Sequence, residues 1–209
     1  MKLDEIQLSS RQFQILLGSG FGDGHFKRHA EGNTYFSTNC GLRDKDYLLW
    51  KYNELQSIRL FNKPSIGKRT KYFGNAQFRW LLRSRRSHTL NQFFGLFYKG
   101  NKKVVNEEAL GLLNELGLAV WYMDDGSLGD WKGYYKIRLC TQCFTYEDHL
   151  LMAQWFADTW GLGFKVNLTG KSSRYWLVLN KKEEVNRFLN LVRPHVISCM
   201  DRKIVQIKK

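Results

Sequence analysis

Two short acidic motifs stand where chemistry could happen. Asp23 closes the run LLGSGFGDG (residues 16–24) and Asp125 closes LAVWYMDDG (residues 118–126), so the two carboxylates lie 102 residues apart, each at the end of an apolar stretch. Taken alone, a Gly-Asp-Gly or Asp-Asp-Gly is most simply a turn that ends a helix. Two of them at matched positions point further. Gly18, Ser19, Gly20 and Gly22 fall within five residues of the first stretch, and each interior glycine costs a helix about 1 kcal/mol relative to alanine. Such a run makes sense where a second backbone must approach closely. Gly18 and Gly22, four apart, share one face, and the natural partner is the second stretch, with Ala119 and Trp121. Packed in parallel, the two helices would end side by side and bring Asp23 and Asp125 together. Like charges that close repel, at a cost that grows as water is excluded, unless a cation sits between them. Carboxylate and carbonyl oxygens suit a hard divalent ion, Mg²⁺ in particular where the substrate is a phosphate. Two ions so held could stabilise both the attacking and the leaving oxygen of a phosphodiester displacement.

The elements that must carry these motifs repeat at the same interval. Asp46, Leu48 and Leu49 recur as Asp148, Leu150 and Leu151, each 102 residues later. Both groups open amphipathic helical stretches, KDYLLWKYNELQSI and YEDHLLMAQWFADTW. Between motif and helix each half has alternating, strand-like sequence, TYFSTN in the first and YYKIRLCTQ in the second. After the helix come further strand pairs, residues 65–73 with 76–83 and 164–169 with 174–179, with turn residues at Gly74–Asn75 and Thr169–Gly170–Lys171. Each half closes with another helix, 88–98 and 181–193. This predicts an α+β chain of two pseudo-symmetric αββαββα halves, residues 1–105 and 106–209, related by an approximate twofold axis. Duplication can be merely structural, but such symmetry also suits duplex DNA, whose strands run antiparallel.

Composition narrows the partner. Lys and Arg number 33 against 19 Asp and Glu, for a net charge of +14, while 43% apolar and 15% aromatic residues exclude a disordered tail. The excess is uneven: residues 1–105 hold 19 basic and 7 acidic side chains, net +12, and the remainder 14 and 12, net +2. This imbalance favours a polyanion, because each neutralised phosphate releases counterions; a soluble basic protein is the plain alternative. If the partner is DNA, the first half supplies most of the salt-sensitive contacts. The opening MKLDEIQLSS has no apolar run, so neither a signal peptide nor a membrane span is expected. Cys40, Cys140, Cys143 and Cys199 then read as free thiols in a reducing intracellular compartment, with nothing to choose between an organelle and a bacterial cytoplasm. Cys140 and Cys143 form a C-x-x-C without the second pair that a zinc site needs. His25 and His29 are spaced i, i+4 without a third ligand, and read as solvated or phosphate-facing.

Together these features resemble a known family. LLGSGFGDG and LAVWYMDDG look like the paired motif helices of the LAGLIDADG homing endonucleases, in particular the single-chain kind whose second motif reads WFMDDG. The segment TQCFTYED (residues 141–148) is similar to the family's strand-to-helix junction and VRPHVISCMDRKI to its closing run, so the resemblance covers nearly the whole chain. It implies a magnesium-dependent, monomeric enzyme that cuts both strands of a long asymmetric DNA site, leaves 3′ overhangs and is encoded within an intron or similar mobile element. It also implies that Asp23 and Asp125 bind two or three divalent ions, with Mn²⁺ or Ca²⁺ able to substitute in binding, and that the carbonyls of Gly22 and Asp124 complete the coordination. The family places a lysine near each half-site. Lys103 in NKKVV and Lys203 in MDRKI fit, 80 and 78 residues after their aspartates. Their charge could steady the phosphate or lower the pKa of an attacking water; ordinary phosphate contacts are the alternative. Gln142, and Asn39 in the other half, could orient that water, or Gln142 could simply satisfy a strand end. The first motif departs from the family at Ser19 and Gly20, where bulky aliphatics are usual, which predicts a helix weakened by about 1 kcal/mol.

The resemblance further implies that the two antiparallel sheets form a saddle over the major groove, which is wide enough to admit a β-ribbon. Strand alternation then assigns faces. Ile137 and Leu139 point to the core, leaving Lys136 and Arg138 outward; Phe164, Val166 and Leu168 point inward, leaving Lys165 and Asn167 outward. Phe78, Trp80 and Leu82 pack inside, leaving Gln77, Arg79 and Arg83 for DNA. Arg69 and Lys71 on the adjacent strand, with Lys27, Arg28 and Arg174, complete the expected DNA-contacting set, and Arg85 and Arg86 read as phosphate contacts. An ordinary solvated sheet face is the alternative to all of these. Two other functions share the fold: a maturase that acts on intron RNA, and a regulator that uses the saddle without chemistry. The retained acids favour the nuclease.

Overall fold

Each motif helix is started by a polar cap. Ser9 and Gln12 cap reciprocally, the Ser9 side chain accepting from the Gln12 N–H while the Gln12 side chain accepts from the Ser9 N–H. Helix α1 (Ser10–Phe21) follows, in a computed structural model that describes residues 6–30, 32–69, 77–131, 134–169 and 174–204. Strands β1 (His25–Arg28) and β2 (Thr34–Gly41), helix α2 (Lys45–Leu55), strands β3 (Ser65–Arg69) and β4 (Gln77–Arg83) and helix α3 (Asn91–Phe97) complete the first unit. A two-residue-per-strand hairpin, β5 (Tyr98–Lys99) and β6 (Lys102–Lys103), and a short helix α4 (Glu107–Gly111) lead to the second motif helix, α5 (Glu115–Asp125). Then come β7 (Gly126–Trp131), β8 (Tyr134–Leu139), α6 (Tyr146–Trp160), β9 (Lys165–Leu168), β10 (Tyr175–Leu179) and α7 (Lys182–Val192).

The two sheets have the same antiparallel topology, β1-β2-β4-β3 and β7-β8-β10-β9. The predicted order of elements is therefore seen twice. The sequence left β1 and β7 unplaced because HFKR is very short and GSLGDW has two glycines, Gly126 and Gly129, in six residues. The apolar stretch 107–126 is two helices rather than one: Asn114 caps α5 by accepting from the Gly117 N–H, 3.1 Å. The turns at Gly74–Asn75 and Gly170–Lys171, and Lys71, lie outside the described residues.

Burial follows alternation at the sheet centres and fails at their tips. Phe26, Phe36, Leu82, Ile137, Leu139, Leu177 and Leu179 are buried against the helices. Phe78 and Leu168, expected inside, are 54% and 56% exposed. Ile66, which pairs with Trp80 beside Phe78, is 56% exposed as well. These residues do alternate with the outward set, but the strands run on beyond the helices that would cover them.

Glycine sets the seam between the halves. A Cβ on Gly18 would overlap the Gly117 carbonyl, and one on Gly22 would meet the Asp124 side chain, so α1 and α5 touch backbone to backbone. The close partner of Gly18 is thus Gly117, one turn earlier than Trp121, whose indole instead stacks on Phe21 at 4.9 Å. Gln14 pins the crossing, donating to the Leu112 carbonyl (2.7 Å) and accepting from the Asn114 N–H (3.1 Å). The volume left free at Gly20 is filled by the Phe97 ring, which makes an edge contact with Phe21 at 5.0 Å. The glycine that lowers helix propensity thus makes room for a buried aromatic, whose burial contributes roughly 1.5–3 kcal/mol, more than the lost propensity.

Candidate active site

The parallel ends of α1 and α5 deliver Asp23 and Asp125 to the same place. Asp23 is open to solvent at its edge yet surrounded by protein, as at the bottom of a cleft; burial first, then the charge of Asp124, raises its pKa to about 6 against the pull of Lys51, Lys203 and Lys103. Asp125 is pushed up to about 8, first by burial and then by the charges of Asp23 and Asp124, against the pull of Lys103 and Lys203. The charge of Asp23 thus reaches Asp125, while the acidic charge that acts on Asp23 is that of Asp124.

Two lysines close the group from either side. Lys103, on β6, donates to the carbonyls of Gly22 (3.1 Å) and Gly24 (3.4 Å). Lys203, in the 3₁₀ turn Ser198–Lys203, donates to the carbonyls of Asp124 (3.1 Å), Tyr122 (3.4 Å) and Met123. Burial lowers the pKa of both ammonium groups, with the carboxylates opposing it. The carbonyls named for metal coordination, Gly22 and Asp124, therefore face cations in this structure. The Asp124 side chain points elsewhere, into a buried ion pair with Lys51 at 2.8 Å.

Donor chemistry decides whether a divalent ion fits. Among the described residues no three His, Cys, Asp or Glu side chains gather into a metal cage. Among the described residues the candidate donors are the carboxylates of Asp23 and Asp125 and the carbonyls of Gly22 and Asp124, so an ion here would take its remaining oxygens from water and substrate. That is how Mg²⁺ is usually held, by one or two carboxylates plus phosphate. The carboxylates fit the ion in another respect: burial first, and neighbouring acidic charge second, raise their pKa values, and a bound cation would oppose both.

The remaining predicted residues divide by face. The strand registers put Lys27, Arg79 and Arg83 on one side of the first sheet, and Lys136, Arg138, Lys165 and Asn167 on the corresponding side of the second, with exposed Arg174 just before β10. Arg83 lies over Tyr35 at 4.3 Å and Arg138 over Trp176 at 4.8 Å, each arginine held by an aromatic ring beside it. Arg79 donates to Asn39 Oδ1 at 3.0 Å, so Asn39 orients an arginine here. Arg69 pairs in register with Gln77. Arg28 departs from expectation: it pairs with Thr34 on the helix side of β1 and lies over Phe94 at 5.3 Å, off the saddle face. Gln142 lies three residues after the end of β8, in a segment whose Cys140 N–H donates to the Asp125 carbonyl at 3.0 Å. His25, read as solvated, shares a hydrogen bond with the Tyr98 hydroxyl at 2.7 Å, and burial lowers its pKa. Burial raises the pKa of all four thiols, Cys40 to about 11, which leaves none predisposed to thiolate chemistry.

Sequence reading missed Tyr47 and Lys51, which reach Asp124 from α2. A signal was present: Tyr47, Leu48, Lys51 and Leu55 fall on one helical face, and a lysine on an apolar face needs a buried partner.

With this geometry in hand, known proteins place the chain. Residues 13–188 match the LAGLIDADG DNA endonuclease family, and the protein belongs to that family. Among curated proteins it is similar to a probable intron-encoded endonuclease of Wickerhamomyces canadensis, 26% identical over 95% of this chain and 85% of that one. A protein named RecA from Mycolicibacterium flavescens is 26% identical over 98% of this chain and 49% of its own. The cytochrome b mRNA maturase bI2 of Saccharomyces cerevisiae is 25% identical over 94% of this chain and 48% of its own. The chain thus spans about half the length of the RecA and maturase relatives. Its fold matches the homing endonuclease I-WcaI, solved bound to its DNA recognition sequence, with a TM-score of 0.85, 20% identity and coverage of 95% and 88% of the two chains. Among the described residues no helix is long and apolar enough to cross a membrane.

Proposed function

We propose that this protein is a monomeric, divalent-metal-dependent endonuclease that cuts both strands of a long, asymmetric DNA site and leaves 3′ overhangs. The observation that carries this reading is the meeting of Asp23 and Asp125, one from each half, between Lys103 and Lys203 at the centre of a two-sheet protein. The halves, residues 1–105 and 106–209, would each serve one strand.

Asp23 and Asp125, with the carbonyls of Gly22 and Asp124, would hold two or three Mg²⁺ ions. When bound, these supply Lewis-acid stabilisation of the charge that develops on the scissile phosphate. The chain's own work is positional. α1 and α5 fix the carboxylates relative to each other, and neutralisation of those acids favours the docking of a phosphate between them. Lys103 and Lys203 supply positive charge beside the reacting group, where low water content strengthens it. Gln142 would orient water near Asp125. Arg69, Lys71, Gln77, Arg79 and Arg83 in the first half would contact the duplex, as would Lys136, Arg138, Lys165, Asn167 and Arg174 in the second. Asymmetry of the target follows from the different residues on the two faces.

The test is selection of cleaved sequences from a randomised duplex library, with and without Mg²⁺. A defined site cut only with the ion is expected, and Asp23→Asn with Asp125→Asn should abolish cutting while leaving binding within about threefold, since neither acid is a base-reading group. Cutting that persists in the doubly substituted protein would sink the reading. Similarity to a maturase supports a second activity on intron RNA; tight binding to structured RNA without cleavage of any duplex would favour that reading.

A further inference from the structure

The seam holds a buried charge cluster that serves the end of only one motif helix, that of Asp23. The side chains of Asp124 and Lys51 are each 1% exposed. Lys51 Nζ donates to both Asp124 oxygens, at 2.8 and 3.0 Å, and the Tyr47 hydroxyl donates to Oδ1 at 2.8 Å. The fourth contact comes from the end of α1: the main-chain N–H of Asp23 donates to Asp124 Oδ2 at 3.2 Å, so all four cross between the halves. Lys51 and Tyr47 belong to α2 of the first half and Asp124 to α5 of the second, so one carboxylate ties α2, α5 and the end of α1 together.

At the positions 102 residues away, among the described residues, no equivalent cluster serves Asp125. Gly22 stands in the place of Asp124, and a Cβ there would come within 2.5 Å of the Asp124 Cβ, so the seam has room for only one such side chain. His149 and Ala153 stand in the places of Tyr47 and Lys51. His149 is fully buried but bonds within its own half, to Thr141 Oγ1 at 2.8 Å and the Thr145 carbonyl at 2.5 Å. The main chain at Asp125 is held differently, by its carbonyl accepting from Cys140.

We propose that Lys51 and Asp124 are positioning residues that set where Asp23 stands, so that the Asp23 centre depends on them and the Asp125 centre does not. Lys51 is too deeply buried to touch substrate. Its charge keeps the Asp124 carboxylate in place, and that carboxylate fixes the main chain from which the Asp23 side chain projects. The consequence for cleavage rests on the nuclease reading above; the clamp itself does not.

The test uses the full chain with Lys51→Met, Lys51→Met combined with Asp124→Asn, and Tyr47→Phe. Two quantities are measured: hydrogen exchange of the Asp23 amide in ¹⁵N-labelled protein, and the separate cutting rates of the two strands of a duplex selected with the unaltered protein. Lys51→Met should speed Asp23 amide exchange by about tenfold or more while the sheet cores stay protected. It should slow one strand on the order of tenfold more than the other, as expected for a small misplacement of one reacting group, with DNA affinity kept. The double substitution should recover most of both losses, because asparagine keeps an oxygen for the Asp23 N–H without an unpaired buried charge. Tyr47→Phe, which removes one hydrogen bond and leaves the ion pair, should shift both readouts in the same sense by about threefold, and it decides the matter if Lys51→Met does not fold. Unchanged Asp23 protection, equal slowing of both strands, or no recovery in the double variant would overturn the proposal. Failure of the unaltered protein to cut any duplex would reject the nuclease reading, and amide exchange would still judge the clamp.

Discussion

The two halves share a topology and divide their duties. The first carries almost all of the net charge, +12 against +2, and a motif helix hollowed by glycine. The second carries the bulky motif helix, with Val120, Trp121, Tyr122 and Met123 all buried, and the side chain of Asp124 that crosses the seam. The difference teaches that pseudo-symmetry here is a property of the backbone. Where the halves touch, one must be small for the other to be large, and of the three acids there Asp124 is the one paired with Lys51.

The largest effects should come from the centres themselves. Replacing Lys103 or Lys203 with Met should each slow cutting on the order of a hundredfold, the scale for losing one electrostatic donor. If the halves serve separate strands, strand-resolved kinetics will show the two substitutions striking opposite strands; identical effects on both would erase the division. Next is the seam. Gly18→Leu should destabilise the protein by at least about 1–3 kcal/mol in denaturant unfolding, because the added atoms meet a carbonyl and not a yielding side chain. Gly95→Ala, where a Cβ meets nothing, should be neutral or stabilising.

Titration sharpens the contrast between Asp23 and Asp125. Both folded-state values lie above the ordinary carboxylate value, to about 6 and about 8, so both acids favour the folded state while protonated. That contribution is complete below about pH 4 and is lost as pH rises through the folded values. The thermal midpoint of ion-free protein should therefore fall between pH 5 and pH 8, and added Mg²⁺ at pH 8 should raise it. Asp125→Asn should remove the upper part of the fall and Asp23→Asn the lower. A midpoint that is flat across this range would show that burial and neighbouring charge do not hold these carboxyls above their ordinary value.

The smallest effect concerns charge. Arg79→Ala with Arg83→Ala should reduce the slope of log affinity against log salt by up to about 2 if both reach phosphate. Arg79→Ala that instead relaxes preference at a single base pair would make it a base reader. Comparable substitutions at Lys136 and Arg138 give the second half's slope, and equal slopes would mean that the surplus charge of the first half is not spent on DNA.

Much of this was legible beforehand, for physical reasons that can be named. Repetition of Asp23 at Asp125 and of Leu48 at Leu150 fixed the topology, because equal spacing of equal elements leaves few ways to pack them. Face assignment by alternation worked for Ile137 and Leu139, whose strand lies under helices, and failed for Phe78 and Leu168, because periodicity tells which side a residue faces and not how far the cover extends. Arg28 was misplaced because β1 itself was not recognised, so its parity was unknown. Lys51 was passed over because its partner lies 73 residues away, and its role depends on a helix crossing angle that no local pattern encodes. The lysines at the centre came from family resemblance. Their spacing from the aspartates gave no physical reason to choose Lys103 over Lys102.

The bare crossing of Gly18 on Gly117 has a practical corollary for anyone recombining parts of such proteins. With no side chains between them, the two backbones cannot be re-fitted by repacking; a new partner must match the curvature of the whole helix. A chimaera assembled by exchanging one half for a relative's would inherit a mismatched pair at the site of chemistry. The transferable module is α1 together with α5, even though more than ninety residues separate them in the chain.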